Sequence, residues 1–207
     1  MSSRVDVVKS LLRSTARSAV AQVKRLPLAA AVQRALSHAA LGRAAISDAQ
    51  LTAAVARVAH VAAATVSVVH DRLRVDVSLD NGKQLLMALW PDGVAFAPSG
   101  AKELAFRVEP ATAASHPASR EVVGAIAGEI ARALWRPALA RAPRSEHGAF
   151  VSDSDGRLIV DLRSVPEVRW AMRQRLPAVL IEAIRARAIE LHDGQLVLAL
   201  AIEGLRR

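Results

Sequence analysis

The sequence predicts an α+β fold: an antiparallel, curved sheet packed on helices, with a two-module internal repeat and an amphipathic N-terminal helical arm. Three observations carry that prediction. Apolar residues recur at steps of three and four in some stretches and alternate in others, so the chain encodes both helices and half-buried strands. The alternating stretches are joined by short turn signals such as Asp80-Asn81-Gly82 and Asp193-Gly194, which favour antiparallel neighbours. The basic surplus is also uneven. Residues 1–45 hold eight Lys or Arg against Asp6 alone, a surplus of seven out of a net charge of +9.

From Ser3 to Leu26, Val5, Val8, Leu12, Ala16, Ala19 and Val23 line one helical face, and Lys9, Arg13 and Arg17 form a basic stripe beside it. Pro27 ends or kinks this helix. A softer helical stretch covers Ala29 to Leu41, and Gly42 is its expected stop. Ser47 or Asp48 caps a helix from about Ala49 to Ala62 with Leu51, Val55 and Val58 turned inward.

At Thr65 the period becomes two, and Val66, Val68, Leu73, Val75, Val77 and Leu79 predict a strand pair. Leu85, Met87 and Leu89 continue the alternation, Pro91-Asp92-Gly93 reads as a turn, and short strands follow at Val94 to Ala97 and Leu104 to Val108. Ser119 caps a helix to Arg136 with Val122, Val123, Ile126, Ile130 and Leu134 on one side, and Pro137 stops it. Residues 137–156 read as an exposed connector. A strand follows at Leu158 to Leu162, then a helix opened by Ser164 and Pro166 that carries Val168, Met172 and Leu176 and kinks at Pro177. The last hairpin pairs Ala188 to His192 with Gln195 to Glu203. The expected organisation is an arm over residues 1–45 and an α+β domain over 46–207, with repeat units at 46–110 and 157–204.

Composition narrows the function. The chain has 207 residues, no Cys and no Tyr; hydrophobic residues make up 52% and aromatics 3%. The interior is therefore aliphatic, and disulfide and thiolate chemistry are excluded. Leu26 to Val32 is too short and too soon interrupted for a signal sequence, and no window approaches the ~20 apolar residues of a spanning helix. The expected location is the cytoplasm, peripheral on the membrane where the arm docks.

Helix, then Val66 to Asp71, then Leu73 to Leu79 is echoed by helix, then Ile189 to Asp193, then Leu196 to Ile202. A helix feeding antiparallel strands in repeated units, with the phrases His70-Asp71 and His192-Asp193-Gly194, resembles the tubular lipid-binding superfamily over roughly Ile46 to Gly204. The resemblance is architectural. It implies a sheet wrapped about a long helix and an apolar tunnel for acyl chains, although the strands here are short for a tube.

No G-x-S-x-G, phosphate loop or H-E-x-x-H is present. His70-Asp71 and His192-Asp193 suit turns better than acid–base pairs, because neighbouring strand residues diverge. Asp153-Ser-Asp-Gly156 resembles half a calcium loop but has Leu162 where the bidentate Glu belongs. Gly124 and Gly128 form a small-residue face that permits close helix packing.

The expectation is a non-enzymatic protein without cofactor or metal, binding a lipid or other apolar small molecule. Leu85, Met87, Leu89, Phe96, Phe106, Ile126, Ile130 and Met172 would line its cavity. Lys9, Arg13, Arg17, Lys24 and Arg25 would contact an anionic membrane surface, each contributing ~1 kcal/mol. The alternative is a nucleic-acid-associated or scaffold protein that uses the arm on phosphates and the body as a homo-oligomerisation module. Nucleic acid is the less favoured partner, because aromatic scarcity weakens strand stacking. A third class, a hydrolase built from distant residues, would escape motif reading.

Overall fold

The computed structural model describes residues 42–97, 100–109, 117–139, 150–154, 157–174, 178, 181–192 and 194–202. It is an α+β fold with two antiparallel sheets, neither of which closes on itself. Strands β1 (Arg43–Ser47), β8 (Ile184–His192) and β9 (Gln195–Ile202) form a three-stranded sheet in the order β1-β9-β8. Strands β2 (Val61–Val69), β3 (Arg72–Leu79), β4 (Gln84–Phe96), β5 (Lys102–Glu109), β6 (Phe150–Ser154) and β7 (Arg157–Asp161) form a six-stranded sheet in the order β2-β3-β4-β5-β7-β6. Helices α1 (Asp48–Val55), α2 (Pro117–Leu139) and α3 (Pro166–Met172) pack with them, and a short 3-10 turn at Leu162–Ser164 precedes α3. Buried residues from both sheets and all three helices belong to one hydrophobic cluster, so this is one core.

Helix α1 begins where the sequence places a cap. Ser47 and Gln50 form a reciprocal capping box, which satisfies two backbone donors at the helix start. The helix ends seven residues earlier than the predicted Ala62. The chain turns at Ala56–His60 and enters β2 at Val61, where the β-branched run favours strand. His60, at φ 67°, makes the corner, and its carbonyl accepts from Asp80 N–H at 3.0 Å. Thr52 then joins helix to sheet. Its hydroxyl accepts from Val66 N–H at 2.8 Å and donates to Val66 C=O at 3.2 Å, which occupies the outer edge of β2.

Two bulges correct the predicted strands. Pro91-Asp92-Gly93 is no turn: β4 runs through it as one 13-residue strand whose pairing with β5 slips between Pro91 and Gly93. One extra residue reverses the alternation, so Met87 and Leu89 before the bulge and Phe96 after it all reach the core. Asp92 fixes the irregularity through an ion pair with Arg157 at 2.6 Å. In β8 the slip between Ala186 and Ala188 does the same, moving the inward set from Ile184 and Ala186 to Ile189 and Leu191.

Helix α2 is about 35 Å long at the usual rise. Val122, Val123, Ile126, Ala127, Ile130, Ala131, Leu134 and Trp135 are all buried, so the covered arc spans well over half its circumference. It starts at Pro117, leaving Ser119 inside the first turn with its side chain buried, and it continues through Pro137 to Leu139. Close packing at Gly128 is not found, because a Cβ there would meet nothing within 4 Å. Helix α3 is capped by Val165, without a side-chain hydrogen bond, in place of the expected Ser164, whose hydroxyl donates to Asp161 C=O. Ile184, expected in a helix, begins β8.

Two strands were not foreseen. β1 straddles the expected boundary between arm and domain at 45/46, and Gly42, at φ 67°, precedes this strand with its carbonyl accepting from Leu200 N–H at 2.7 Å. β6 falls in the expected connector and pairs with β7 such that Ser154 faces Arg157. The helix-then-hairpin order of the internal echo recurs as α1-β2-β3 and α3-β8-β9, with the two hairpins in different sheets. His70-Asp71 forms the turn between paired Val69 and Arg72, with His70 at φ 52°, in line with the turn reading of this pair.

The Thr52 contact yields a stability prediction. Thr52→Val keeps the shape but strands a backbone N–H and C=O, and should cost about 1–3 kcal/mol in urea unfolding, whereas Thr52→Ser should retain most of the native stability. A Val variant as stable as the parent would show that this edge does not depend on the hydroxyl.

Candidate functional site at the seam between the sheets

The two sheets meet along a line where no ladder hydrogen bonds form. Beyond Leu89, strand β4 pairs with β5 on one side only, because β3 ends opposite Leu89. The other edge of this half of β4 faces β8, the edge strand of the small sheet, and their Cα atoms approach within 8 Å. Both strands carry their bulge here, and bulges bend strands away from regular pairing. An open cleft of about 400 Å³ occupies the seam, lined by Val94, Ala95, Phe96, Ala97, Ala101, Arg185, Ala186 and Arg187.

Lys102 closes the seam from inside. Its side chain is 1% exposed, and its ammonium donates to the carbonyls of Ala97 at 2.6 Å, Ile184 at 2.8 Å and Glu182 at 3.5 Å. Ala97 follows β4, while Ile184 opens β8, so one cation bonds the backbones of both sheets. The Phe96 ring lies 5.8 Å from the ammonium and adds a cation–π contact. On the core side Phe96 stacks on Trp135 of α2, with ring centres 6.3 Å apart. Arg163 ties down the neighbouring loop by donating to Gly100 C=O at 2.8 Å.

The side chains at the rim differ in character. Val94, Ala95, Ala97, Ala101 and Ala186 provide apolar surface, whereas the exposed Arg185 and Arg187 both come from β8. Neither arginine belongs to an ion pair among the described residues. No family model, curated protein or solved structure matches this chain. The site is therefore characterised by its own geometry.

The predicted cavity residues are brought together, but as core. Met87, Leu89, Phe96, Phe106, Ile126 and Ile130 are 5% exposed or less and belong to one packed cluster, with Leu85 and Met172 half-buried against it. Of the eight, Phe96 also lines the seam cleft. Sequence reading missed Lys102 and the Arg185–Arg187 segment. The alternation Ile184-Arg-Ala-Arg-Ala188 was the available signal for the second of these; nothing local marks Lys102. Lys9, Arg13, Arg17, Lys24 and Arg25 lie outside the described residues.

Two other charged constellations are structural. Arg132 on α2 bonds Glu167 on α3 at 2.8 Å and Glu129 at 3.5 Å. Burial alone would lower the Arg132 pKa; the hydrogen bond and charge of Glu167, aided by Glu129, outweigh it, and the guanidinium stays protonated above its ordinary range. On the outer face of the large sheet, Arg72 and Arg107 flank Trp90 at 5.6 and 5.7 Å. Asp76 and Glu109 stand on the same face, and Asp92 pairs with Arg157 beside it, so its charge is mixed.

The seam depends on Lys102 in a measurable way. Lys102→Met leaves the Ala97 and Ile184 carbonyls without their cationic donor and should cost about 3 kcal/mol. Hydrogen exchange should rise first at β8 and the β4–β5 turn, ahead of β2 and β3. A variant with unchanged stability and exchange would show that the sheets are held together by the apolar core alone.

Proposed function

We propose that the protein is a non-enzymatic carrier or sensor that binds a hydrocarbon-like ligand in the seam between its sheets and docks to anionic membrane through its N-terminal arm. The observation that carries this reading is an open cleft, lined by apolar side chains and two arginines, set between two strand edges that do not pair. Its volume falls in the range usual for small-molecule sites. An interposed peptide strand would need about 9.6 Å between its neighbours, more than the close approach of β4 and β8, so a ligand would lie along the open rim of the seam and not between the two backbones. The arm supplies the second half of the reading, since its cationic and apolar stripes suit a helix lying at a bilayer surface. No described helix is long and apolar enough to cross a membrane.

The nucleic-acid alternative is favoured by the Arg72–Trp90–Arg107 row alone. Trp90 is already engaged by two guanidiniums, and the carboxylates of that face offset its arginines, which leaves little free charge for a phosphate backbone.

Uptake of N-phenyl-1-naphthylamine, an uncharged fluorescent probe, tests the seam. Ala101→Trp places an indole at an exposed lining position, where it should block the cleft without disturbing the fold. We expect saturable fluorescence enhancement with the full chain and a roughly tenfold weaker one with the variant at an unchanged melting temperature. Equal binding by both would move the ligand elsewhere. Separately, deleting residues 1–26 should abolish co-flotation with phosphatidylglycerol-containing vesicles while leaving the melt of the body intact; undiminished flotation would remove the arm from the docking role.

A further inference from the structure

We infer that the ligand of the seam is an anionic amphiphile, a hydrocarbon chain ending in a carboxylate or phosphate, and that Arg185 and Arg187 bind its head group. This rests on the seam being the binding site. The lining is divided by strand: β4 and the loop after it contribute Val94, Ala95, Phe96, Ala97 and Ala101, whereas both cations come from β8. A chain lying along the β4 side therefore ends against guanidiniums on the other side.

The two cations lie at the β8 bulge. Ala186 faces Leu200 and Ala188 faces Ala199, so Arg187 is the inserted residue with no partner on β9. In a regular strand the side chain beyond Arg185 on the same face would also be two residues on, but the ladder would continue to fix it. Here the extra residue has no partner on β9 and the later alternation shifts, with Arg185 and Arg187 both exposed around buried Ala186. Two forked donors lining one cleft can share the oxygens of one carboxylate or phosphate.

The charged groups around the rim leave it positive. Glu103 lies across from Ala95 on β5 and brings a carboxylate to this side, with Asp161 opposite it on β7, one strand farther from the cleft. Glu182 precedes β8, and its carbonyl faces Lys102. Lys102 contributes positive potential from below, while its donors are directed at the three backbone carbonyls and do not reach out as head-group ligands. Glu190, the next acid along β8, is engaged with His192 at 2.9 Å.

The test compares four probes sharing one dodecyl chain, each below its micelle-forming concentration: the carboxylate, the phosphate monoester, the alcohol and the trimethylammonium salt. Affinities for the full chain are read by displacement of N-phenyl-1-naphthylamine. The two anions should bind roughly tenfold or more tightly than the alcohol, and the ammonium weakest. Arg185→Gln/Arg187→Gln should erase that preference while leaving the alcohol's affinity unchanged, and Arg185→Lys/Arg187→Lys should restore most of it; the double Gln variant also controls for attraction by the arm, which it retains. Which anion binds more tightly separates a fatty-acid-like source from a phospholipid-like one. If all four bind alike, or the Gln variant keeps the preference, the head-group assignment is overturned and the seam remains a hydrocarbon site. If none displaces the probe and Ala101→Trp has no effect on it, the seam reading falls and the head-group assignment with it.

Discussion

A single buried ammonium joins two sheets that share a core but no ladder. Burying a lysine normally costs more than it returns, because water solvates the charge better than protein does. Lys102 escapes that cost by replacing water with three carbonyl oxygens and an aromatic face. The carbonyls it bonds lie where β4 ends and where β8 begins, which sets the relation between the sheets at one point. On either side of that point both strands are bulged, and regular pairing does not propagate. The seam stays open along the cleft and closed beneath it, so the site is a consequence of how the sheets are joined.

The rest of the molecule manages its edges in a related way, with side chains standing in for missing strands. Thr52 satisfies the backbone of Val66 on the outer edge of β2 and so fastens α1 to the large sheet. The same helix touches the small sheet at its other end, where Asp48 N–H donates to Gly194 C=O at 3.0 Å. Gly194 sits at φ 75°, and a Cβ there would come within 2.9 Å of the Asp48 carboxylate, so only glycine allows the β8–β9 turn to rest on the helix start. Helix α1 thus bridges the sheets at one end, Lys102 at another, and α2 fills the space between them with aliphatic side chains.

What could be read from the sequence was whatever is encoded locally. Ser47 with Gln50 three residues later marks a helix start, and the alternation from Val66 to Leu89 with Asp80-Asn81-Gly82 between its halves marks a hairpin; both are present. The failures share a cause. Pro91-Asp92-Gly93 has turn composition, yet pairing with β5 on one side and the Arg157 ion pair hold it as a bulge. The switch of inward parity from Leu89 to Phe96 was the only clue, and it reads equally well as two separate strands. β1 and β6 are five residues each and, unlike the equally short β7, carry no run of large aliphatic residues, and they exist because β9 and β7 offer them an edge. The pattern places the start of β8 at Ala188, four residues late, because the small alanines between Ile184 and Ala188 satisfy either period. Of the site, Phe96 was legible as an apolar inward residue; Lys102, Arg185 and Arg187 acquire their meaning from a contact spanning some eighty positions, as the Lys102–Ile184 bond does.

The expected lining residues also explain why a ligand belongs at the seam and not between α2 and the sheet. Met87, Leu89, Phe106, Ile126 and Ile130 are nearly fully buried and already in contact within one cluster. A hydrocarbon chain inserted among them would have to displace packed side chains, and overpacking a well-filled core costs on the order of 1–3 kcal/mol for even small additions. At the seam, by contrast, Ala97 and Ala101 are already exposed to solvent, and Val94 and Ala186 form the edge where the core cluster reaches the cleft. Covering them removes water from apolar surface and displaces no protein contact. Small alanines at three of those four positions keep the cleft open, since larger aliphatic side chains there would bridge β4 and β8 and extend the core outward. On this physical ground the aliphatic character first noticed in the composition serves two purposes: leucine, isoleucine and valine build the interior, while alanine leaves the space beside it.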